Sequence, residues 1–363
     1  MTLRYETTPR EDGYRMPGEF EPHRGCWMCW PERPDNWRLG AKPAQSAFIA
    51  VAEAINESEP VTVAVPATQF NNARARLSRS IRVVEMSYHD SWMRDVGPSF
   101  VVNDAGDVRA VDWDFNAWGG HYNGLYSPWD KDLLVAIKVA EIEGTDRYRS
   151  HFVLEGGSIH VDGEGTLITT EECLLSPGRN PDKTRSEIEA DLKQFLNVEK
   201  VLWIPRGVYR DETSGHVDNL LHYCAPGVVA LTWTDDKSDP QYEISMEAYE
   251  YLSNSTDAKG RSLTIHKIHL PGPLFLTAEE AEGIDLTESG MDRAEGDRLA
   301  GSYCNFYIGN DRVVFPLLGG KWDQPAKEKL QEIFPDRKIV GIPAREILLG
   351  GGNIHCITQQ VPK

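Results

Sequence analysis

Glu155-Gly156-Gly157-Ser158-Ile159-His160 and Gly351-Gly352-Asn353-Ile354-His355 are two copies of one unit set far apart in the chain. Each runs from glycines into an apolar–polar alternation, the pattern of a tight turn entering a strand. Three more segments take the same place in their surroundings: Trp92-Met93-Arg94-Asp95-Val96-Gly97, Thr213-Ser214-Gly215-His216-Val217-Asp218-Asn219 and Gly301-Ser302-Tyr303-Cys304-Asn305. Amphipathic spacing predicts helices over 43–56, 129–141, 184–196, 240–252 and 324–334. Thr184 with Glu187 forms a capping box, and Pro325 falls in a first turn, where proline is tolerated. β-rich stretches follow at 61–65, 149–154, 198–204, 263–270 and 338–342. Several turns continue through a second turn into another strand, at 166–170 and 228–233. A doubly wound parallel sheet would explain the alternation but not the recurring turn. Five diverged helix-and-strand modules predict a closed radial repeat, which removes edge strands and gathers five turns at one mouth. A site would be built there.

The chain has 363 residues, 40% of them hydrophobic, so a sizeable core is available. Acids number 56 and bases 38, a net charge of −18 that repels nucleic acid and anionic membranes and attracts cations. No apolar leader opens the sequence and no stretch approaches the roughly 18 apolar residues of a membrane span. Six cysteines (26, 29, 173, 224, 304, 356) are too sparse for a disulfide scaffold, which favours a reduced, cytoplasmic setting. Cys26-Trp27-Met28-Cys29 lacks the second pair of a zinc ribbon and reads as two buried thiols. Residues 272–301, rich in Asp and Glu with Leu276 and Ile284 as their few apolar anchors, read as a surface excursion or a lid.

Cys356 follows three glycines and Asn353. Glycines inside a strand pattern cost backbone entropy and mark close approach of a ligand or another backbone. A nucleophilic thiol needs a proton shuttle, and His216 is the candidate. His216 and Asp218 stand two apart, hence on one face of a strand, as a metal pair or as a structural hydrogen bond. Zinc would want more His or Cys ligands, whereas the repeat turns supply Asp95 and Glu155, with Trp92 alongside. Carboxylates near a thiol raise its pKa and dull it. The set makes sense if the substrate brings positive charge. A guanidinium offers a planar fork of N–H donors to carboxylates and an electrophilic carbon to sulfur. A thiol protease would want an oxyanion hole and one orienting acid rather than three. The charge logic points to guanidine hydrolysis.

Over essentially its whole length the chain resembles the agmatine deiminase family of the guanidino-group-modifying (pentein) superfamily. The resemblance rests on Trp92-Met93-Arg94-Asp95, on the stretch from Leu154-Glu155 through Arg179-Asn180-Pro181, on Gly215-His216-Val217-Asp218-Asn219, and on Gly350 through Cys356 with Ile357-Thr358-Gln359-Gln360. It implies a single α/β domain, residues 1–363, folded as a five-bladed pseudo-symmetric α/β propeller. It also implies hydrolysis of agmatine to N-carbamoylputrescine and ammonia on the way to putrescine and polyamines, with no metal and no cofactor. By matching positions, Cys356 is the nucleophile, His216 the general acid/base, Glu155 its partner, and Asp95 and Asp218 the guanidinium clamps. Trp92 and Gly352 join the substrate site. The expected partner is a small cationic guanidino compound, with no nucleic acid and no membrane, and the expected assembly is a homo-oligomer, dimer or tetramer. Two features depart from the family: the run Arg210-Asp211-Glu212-Thr213-Ser214 is less acidic, and Cys26 and Cys29 sit in a strand usually without thiols. Two rivals stand beside this reading. A deiminase of free or peptidyl arginine would want an Arg for the carboxylate or carbonyl at the far end, with Arg94 and Arg210 as candidates. A non-catalytic propeller that binds a macromolecule would have no use for Cys, His and three acids at its mouth.

Overall fold

The computed structural model describes residues 2–288 and 290–363. Among them, five sheets share one plan. A first strand pairs antiparallel with a second, a helix follows the second strand, and a third strand returns parallel to it. The plan runs Ser99–Val102, Val108–Asp114, Arg147–Val153, then Ile159–Val161, Thr166–Thr170, Lys200–Ile204. Leu221–Ala225, Val228–Trp233, Thr264–His269 and Tyr307–Ile308, Arg312–Leu317, Lys338–Pro343 continue it. The fifth sheet joins distant parts of the chain: Thr358–Pro362 pairs with His23–Cys29, which lies parallel to Val61–Val65. The intervening helices are Val135–Glu143, Arg185–Leu196, Gln241–Ser253, Asp323–Ile333 and Lys42–Asn56. Each parallel return needs such a crossover, because a tight turn cannot reverse the chain twice.

Local chemistry explains the boundaries. Thr184 Oγ1 accepts from the Glu187 N–H while the Glu187 carboxylate accepts from the Thr184 N–H, so the predicted capping box starts Arg185–Leu196. The strands predicted at 166–170 and 228–233 are found at those bounds. The helix predicted over 129–141 breaks into a 3-10 turn, Asp132–Leu134, followed by Val135–Glu143. Asp132 is taken by other segments there, accepting from the His89 N–H at 2.7 Å and the Tyr126 hydroxyl at 2.6 Å. Helix Lys42–Asn56 turns Phe48, Val51, Ala52 and Ile55 into the largest core cluster, shared with Trp27, Met28, Trp37 and Phe315. No helix among the described residues is long and apolar enough to cross a membrane. All six cysteines are free and buried, Cys26 and Cys29 among them. The 272–301 stretch contains the ladder Leu274–Phe275 with Arg298–Leu299 and the helix Ala278–Glu282, anchored by buried Leu276 and Ile284.

The functional consequence lies just ahead of each first strand. Asp95 precedes Ser99–Val102, Glu155 precedes Ile159–Val161, and His216 and Asp218 precede Leu221–Ala225. Asn305 precedes Tyr307–Ile308, and Cys356 precedes Thr358–Pro362. Every sheet offers one turn to the same neighbourhood.

Candidate active site

The turns meet at two atoms. Cys356 Sγ lies 3.2 Å from Asn305 Nδ2 and 3.5 Å from Asp218 Oδ2. Gly157 is the second meeting point. A Cβ added there would sit 2.6 Å from His216 Nδ1, 2.9 Å from Asp95 Oδ1 and 3.0 Å from Asp218 Oδ2. Glycine therefore lets three functional side chains close on one backbone. The Gly157 N–H donates to Asp95 Oδ1 at 2.9 Å, and the Trp118 indole N–H donates to Asp95 Oδ2 at 2.9 Å. Gly352 repeats the device, since a Cβ there would stand 2.6 Å from the Trp92 ring and 3.1 Å from Cys356 Cβ. Cys356, His216, Glu155, Asp95, Asp218, Trp92 and Gly352 thus share one place.

His216 and Asp218 reach it from a helical turn, Val217–Leu220 with His216 at its N-cap, and not from a strand as their spacing suggested. The strand begins only at Leu221, because the turn is needed to carry both side chains down to Gly157.

Burial and charge set the protonation states. His216 Nε2 lies 3.6 Å from Glu155 and its Nδ1 3.9 Å from Asp95. Burial disfavours the imidazolium, but Asp95, Cys173 and Glu155 overcome it and raise His216 well above its ordinary value. Burial also opposes ionisation of Glu155, yet Arg179 and His216 hold that carboxyl at about 2. Arg179 Nε is 2.8 Å from Glu155, and its guanidinium also donates to the backbone carbonyls of Thr213 and Trp118. One buried cation therefore braces three segments, including Ala117 and Trp118, whose φ of 53° and 62° place two consecutive non-glycine residues in the left-handed region. Burial pushes Asp95 up to about 6, with His216 opposing the rise and Asp218 and Glu155 adding to it. Burial and the carboxylates of Asp218 and Asp95 push the Cys356 thiol well above its ordinary value. At rest the sulfur is a protonated thiol among acids.

The site opens into a cleft of about 480 Å³ including its mouth, within the usual size of small-ligand pockets. Cys356, Asp95, Trp92 and Gly352 line it; His216 and Asp218 lie one layer deeper. Asp218 Oδ1 is buried and has no hydrogen-bond partner among the described residues. Four acids line the wall, Asp35, Asp90, Asp95 and Glu212, against Arg33 and Arg293. Both arginines are committed. Arg33 pairs with Asp35 and lies 4.2 Å over the Tyr126 ring, while Arg293 pairs with Glu212 and donates to the Gly350 carbonyl at 2.9 Å. Arg293 belongs to the 272–301 stretch, which therefore reaches the site. The arginines flagged by sequence do not line the cleft: Arg94 is buried and donates to Gln360 and Glu19, and Arg210 is exposed.

Two groups of potential metal donors occur among the described residues, Glu155 with Cys173 and His216, and His160 with His222 and His355. In each a key donor is already engaged, Glu155 by Arg179 and both ring nitrogens of His355 by Asp218 and Glu19. A metal in either group would have to displace one of these ion pairs.

Sequence reasoning missed Asn305, Gly157, Trp118, Arg179 and Arg293. Asn305 carried a readable signal, as the end of the fourth repeated turn. The others owe their roles to partners remote in sequence.

A buried thiol, an acid-paired imidazole and three carboxylates on four of the five equivalent turns, with Asn305 from the remaining one, define a deiminase-type site. In agreement, the sequence profile of the Porphyromonas-type peptidyl-arginine deiminases matches residues 15–362, and the chain belongs to that family. Within it, the similarities run to agmatine deiminases. The agmatine deiminase of Pseudomonas aeruginosa is 58% identical over 358 residues, 98% of this chain and 97% of that one. A Listeria monocytogenes protein with the provisional name agmatine deiminase 1 is 62% identical over 359 residues, 99% of both chains. The solved structure of agmatine deiminase of Enterococcus faecalis matches with a TM-score of 0.98 at 53% identity over 100% of both chains. The mixed α/β fold is that of these structures.

Proposed function

We propose that this chain hydrolyses agmatine to N-carbamoylputrescine and ammonia through a covalent thiouronium on Cys356. The observation that carries this reading is the thiol set within 3.5 Å of a carboxylate whose second oxygen is buried without a partner. Such an arrangement is unfavourable until a cationic N–H donor arrives.

The guanidinium enters between Asp95 and Asp218, each accepting N–H bonds, with Trp92 against its face or its aliphatic chain. Its charge offsets the acids, and the Cys356 thiol releases its proton to solvent. The thiolate attacks the central carbon and forms the C–S bond. His216, held as imidazolium, gives its proton to one amino group as the C–N bond breaks and ammonia leaves. Water then attacks the S-alkylthiouronium while His216 takes its proton. The C–S bond breaks, its electron pair returns to sulfur, the adduct's hydroxyl proton passes to the departing thiolate or to solvent, and the ureido product departs. Glu155, fixed by Arg179, keeps His216 oriented and charged. Fixing the attack geometry contributes the larger share of the rate, about 7–11 kcal/mol in well-oriented systems.

The five like sheets support reading the fold as a closed five-bladed α/β propeller in one domain with the site on its axis. Residues 272–301 then act as a strap over the mouth, Arg293 being its clasp on Glu212. The same reading includes a cytoplasmic homo-oligomer, dimer or tetramer, which light scattering of purified protein would test.

The deciding experiment is a substrate screen that reads ammonia and ureido product. Agmatine ends in an ammonium, suited to the acidic wall, whereas arginine adds a carboxylate there while both wall arginines are taken. kcat/KM for agmatine is expected to exceed that for arginine by at least about two orders of magnitude, since each 1.4 kcal/mol is tenfold. Equal rates on arginine or an arginyl peptide would overturn the substrate assignment and leave the thiol–guanidinium chemistry standing.

A further inference from the structure

Behind Asp218 the site continues as a buried chain of alternating charge. His355 Nδ1 stands 2.8 Å from Asp218 Oδ2, and His355 Nε2 stands 2.8 Å from Glu19 Oε2. Glu19 in turn accepts from Arg94 at 3.2 Å and from the Ile308 N–H at 2.9 Å. All four side chains are almost wholly buried. Both His355 nitrogens face carboxylate oxygens at hydrogen-bonding distance, so both must carry protons to satisfy them. We infer that His355 is a positioning residue that, as an imidazolium strung between Glu19 and Asp218, keeps Asp218 ionised and its free oxygen ready for the guanidinium. This rests on the deiminase reading above.

The site contains its own control. Asp95 and Asp218 are buried alike on two sides of Gly157, yet only Asp218 has a cation bonded to it. Burial drives Asp95 up to about 6. Burial is the largest single influence on Asp218 too, but His355, through its hydrogen bond and its charge, together with His216 and Arg94 outweighs it, and the carboxyl falls below its ordinary value. The groups facing His355 are Asp218, Glu19, Arg94 and the rings of His160 and His222 at 5.0 and 4.9 Å. Those two rings are held neutral: burial and the neighbouring imidazoles lower His160, and burial lowers His222 to about 3 although Glu19 opposes it. Asp218 is faced by His355, His216, Arg94, Asp95, Asp211 and the Cys356 thiol. Among the described residues, no neighbour other than His355 bonds its Oδ2 as a cation.

The test is the acid side of the kcat/KM profile for agmatine. In the unmodified protein one carboxyl, Asp95, is expected to set that limb, with a one-proton slope. In His355→Asn the side-chain amide can still donate to Asp218, but the charge is gone. With no cation bonded to it, burial acts on Asp218 as it does on Asp95, and its carboxyl rises to join Asp95 at about 6. The limb should steepen toward two protons and shift to higher pH, with the rate recovering above it. Glu19→Gln, which takes the counter-charge from His355, should move the limb the same way by less, and decides the matter should the Asn variant fail to fold. A loss equal at every pH, or an unmoved one-proton limb in the folded variants, overturns the inference. Failure of the unmodified protein to turn over agmatine would overturn the deiminase reading instead, so the two outcomes are distinct.

Discussion

Gly157→Ala puts one methyl group where His216, Asp95 and Asp218 converge. The φ of Gly157 is outside the left-handed region, so the backbone accepts alanine and the cost falls on the neighbours. His216 Nδ1 must retreat from 2.6 Å to ordinary contact near 3.4 Å, about 0.8 Å, and the two carboxylates by about half that. Overpacking of this kind costs about 1–3 kcal/mol, a fall of a few degrees in Tm. The effect on rate is larger, because a misplacement near 1 Å can cost about 10²-fold. Steady-state ammonia release from agmatine should therefore show kcat/KM lowered by about two orders of magnitude in a protein that still melts cooperatively. Gly156→Ala is the contrast: its Cβ would lie 2.3 Å from the Arg94 carbonyl, which is backbone and cannot step aside. That variant should lose stability first. A Gly157→Ala enzyme within threefold of the parent would refute the convergence of the three groups on this backbone.

Cys356→Ser should abolish turnover, and acid-quenched parent protein with agmatine should carry an adduct on the Cys356 peptide by mass spectrometry; an adduct on Cys173 instead would sink the assignment. Asp95→Asn and Asp218→Asn should each be alkylated faster by iodoacetamide without substrate, since the acids raise the thiol's pKa, while turning over more slowly; slower alkylation would remove substrate-assisted activation. Arg179→Met leaves Glu155 buried with His216 as its only charged partner, and should cost about 3 kcal/mol at pH 7. Glu155 titrates at about 2 in the folded protein and near 4.3 when unfolded, so its stabilisation is present above the unfolded value and fades as pH falls toward 2. The melting difference between parent and variant should narrow over that window; a gap independent of pH would mean that Arg179 acts through packing alone.

What could be read from the sequence was whatever short-range chemistry decides. Thr184 with Glu187 announced a helix start, and the strand alternations at 166–170 and 228–233 were complete within themselves. The repeated turns were legible because glycine and a polar or thiol residue recur just ahead of a strand in each module, which is why the predicted site residues meet. Long-range pairing was not legible. Nothing near Arg179 or Arg293 in sequence says that a carboxylate waits for it, and Asp132 gave no sign that His89 and Tyr126 would claim it and split a helix. Asn305 bonds the nucleophile with an amide, a group whose presence in a turn usually signals only the turn.

The sheet that carries the nucleophile also has the most demanding assembly. Thr358 faces Met28 across its ladder, about 330 positions apart, whereas the three-stranded cores of the other four form from continuous stretches of chain, with only Arg4–Tyr5 joining one of them from farther away. Closing so large a loop is entropically the costliest pairing in the molecule, and contacts of such range form slowly. A chain with four sheets in place would still hold Cys356 away from Asp95, Asp218 and His216, as an ordinary thiol with no clamp for a substrate. Catalytic competence is therefore expected to appear late and all at once during refolding, after most of the secondary structure has returned, so that activity itself times the final closure.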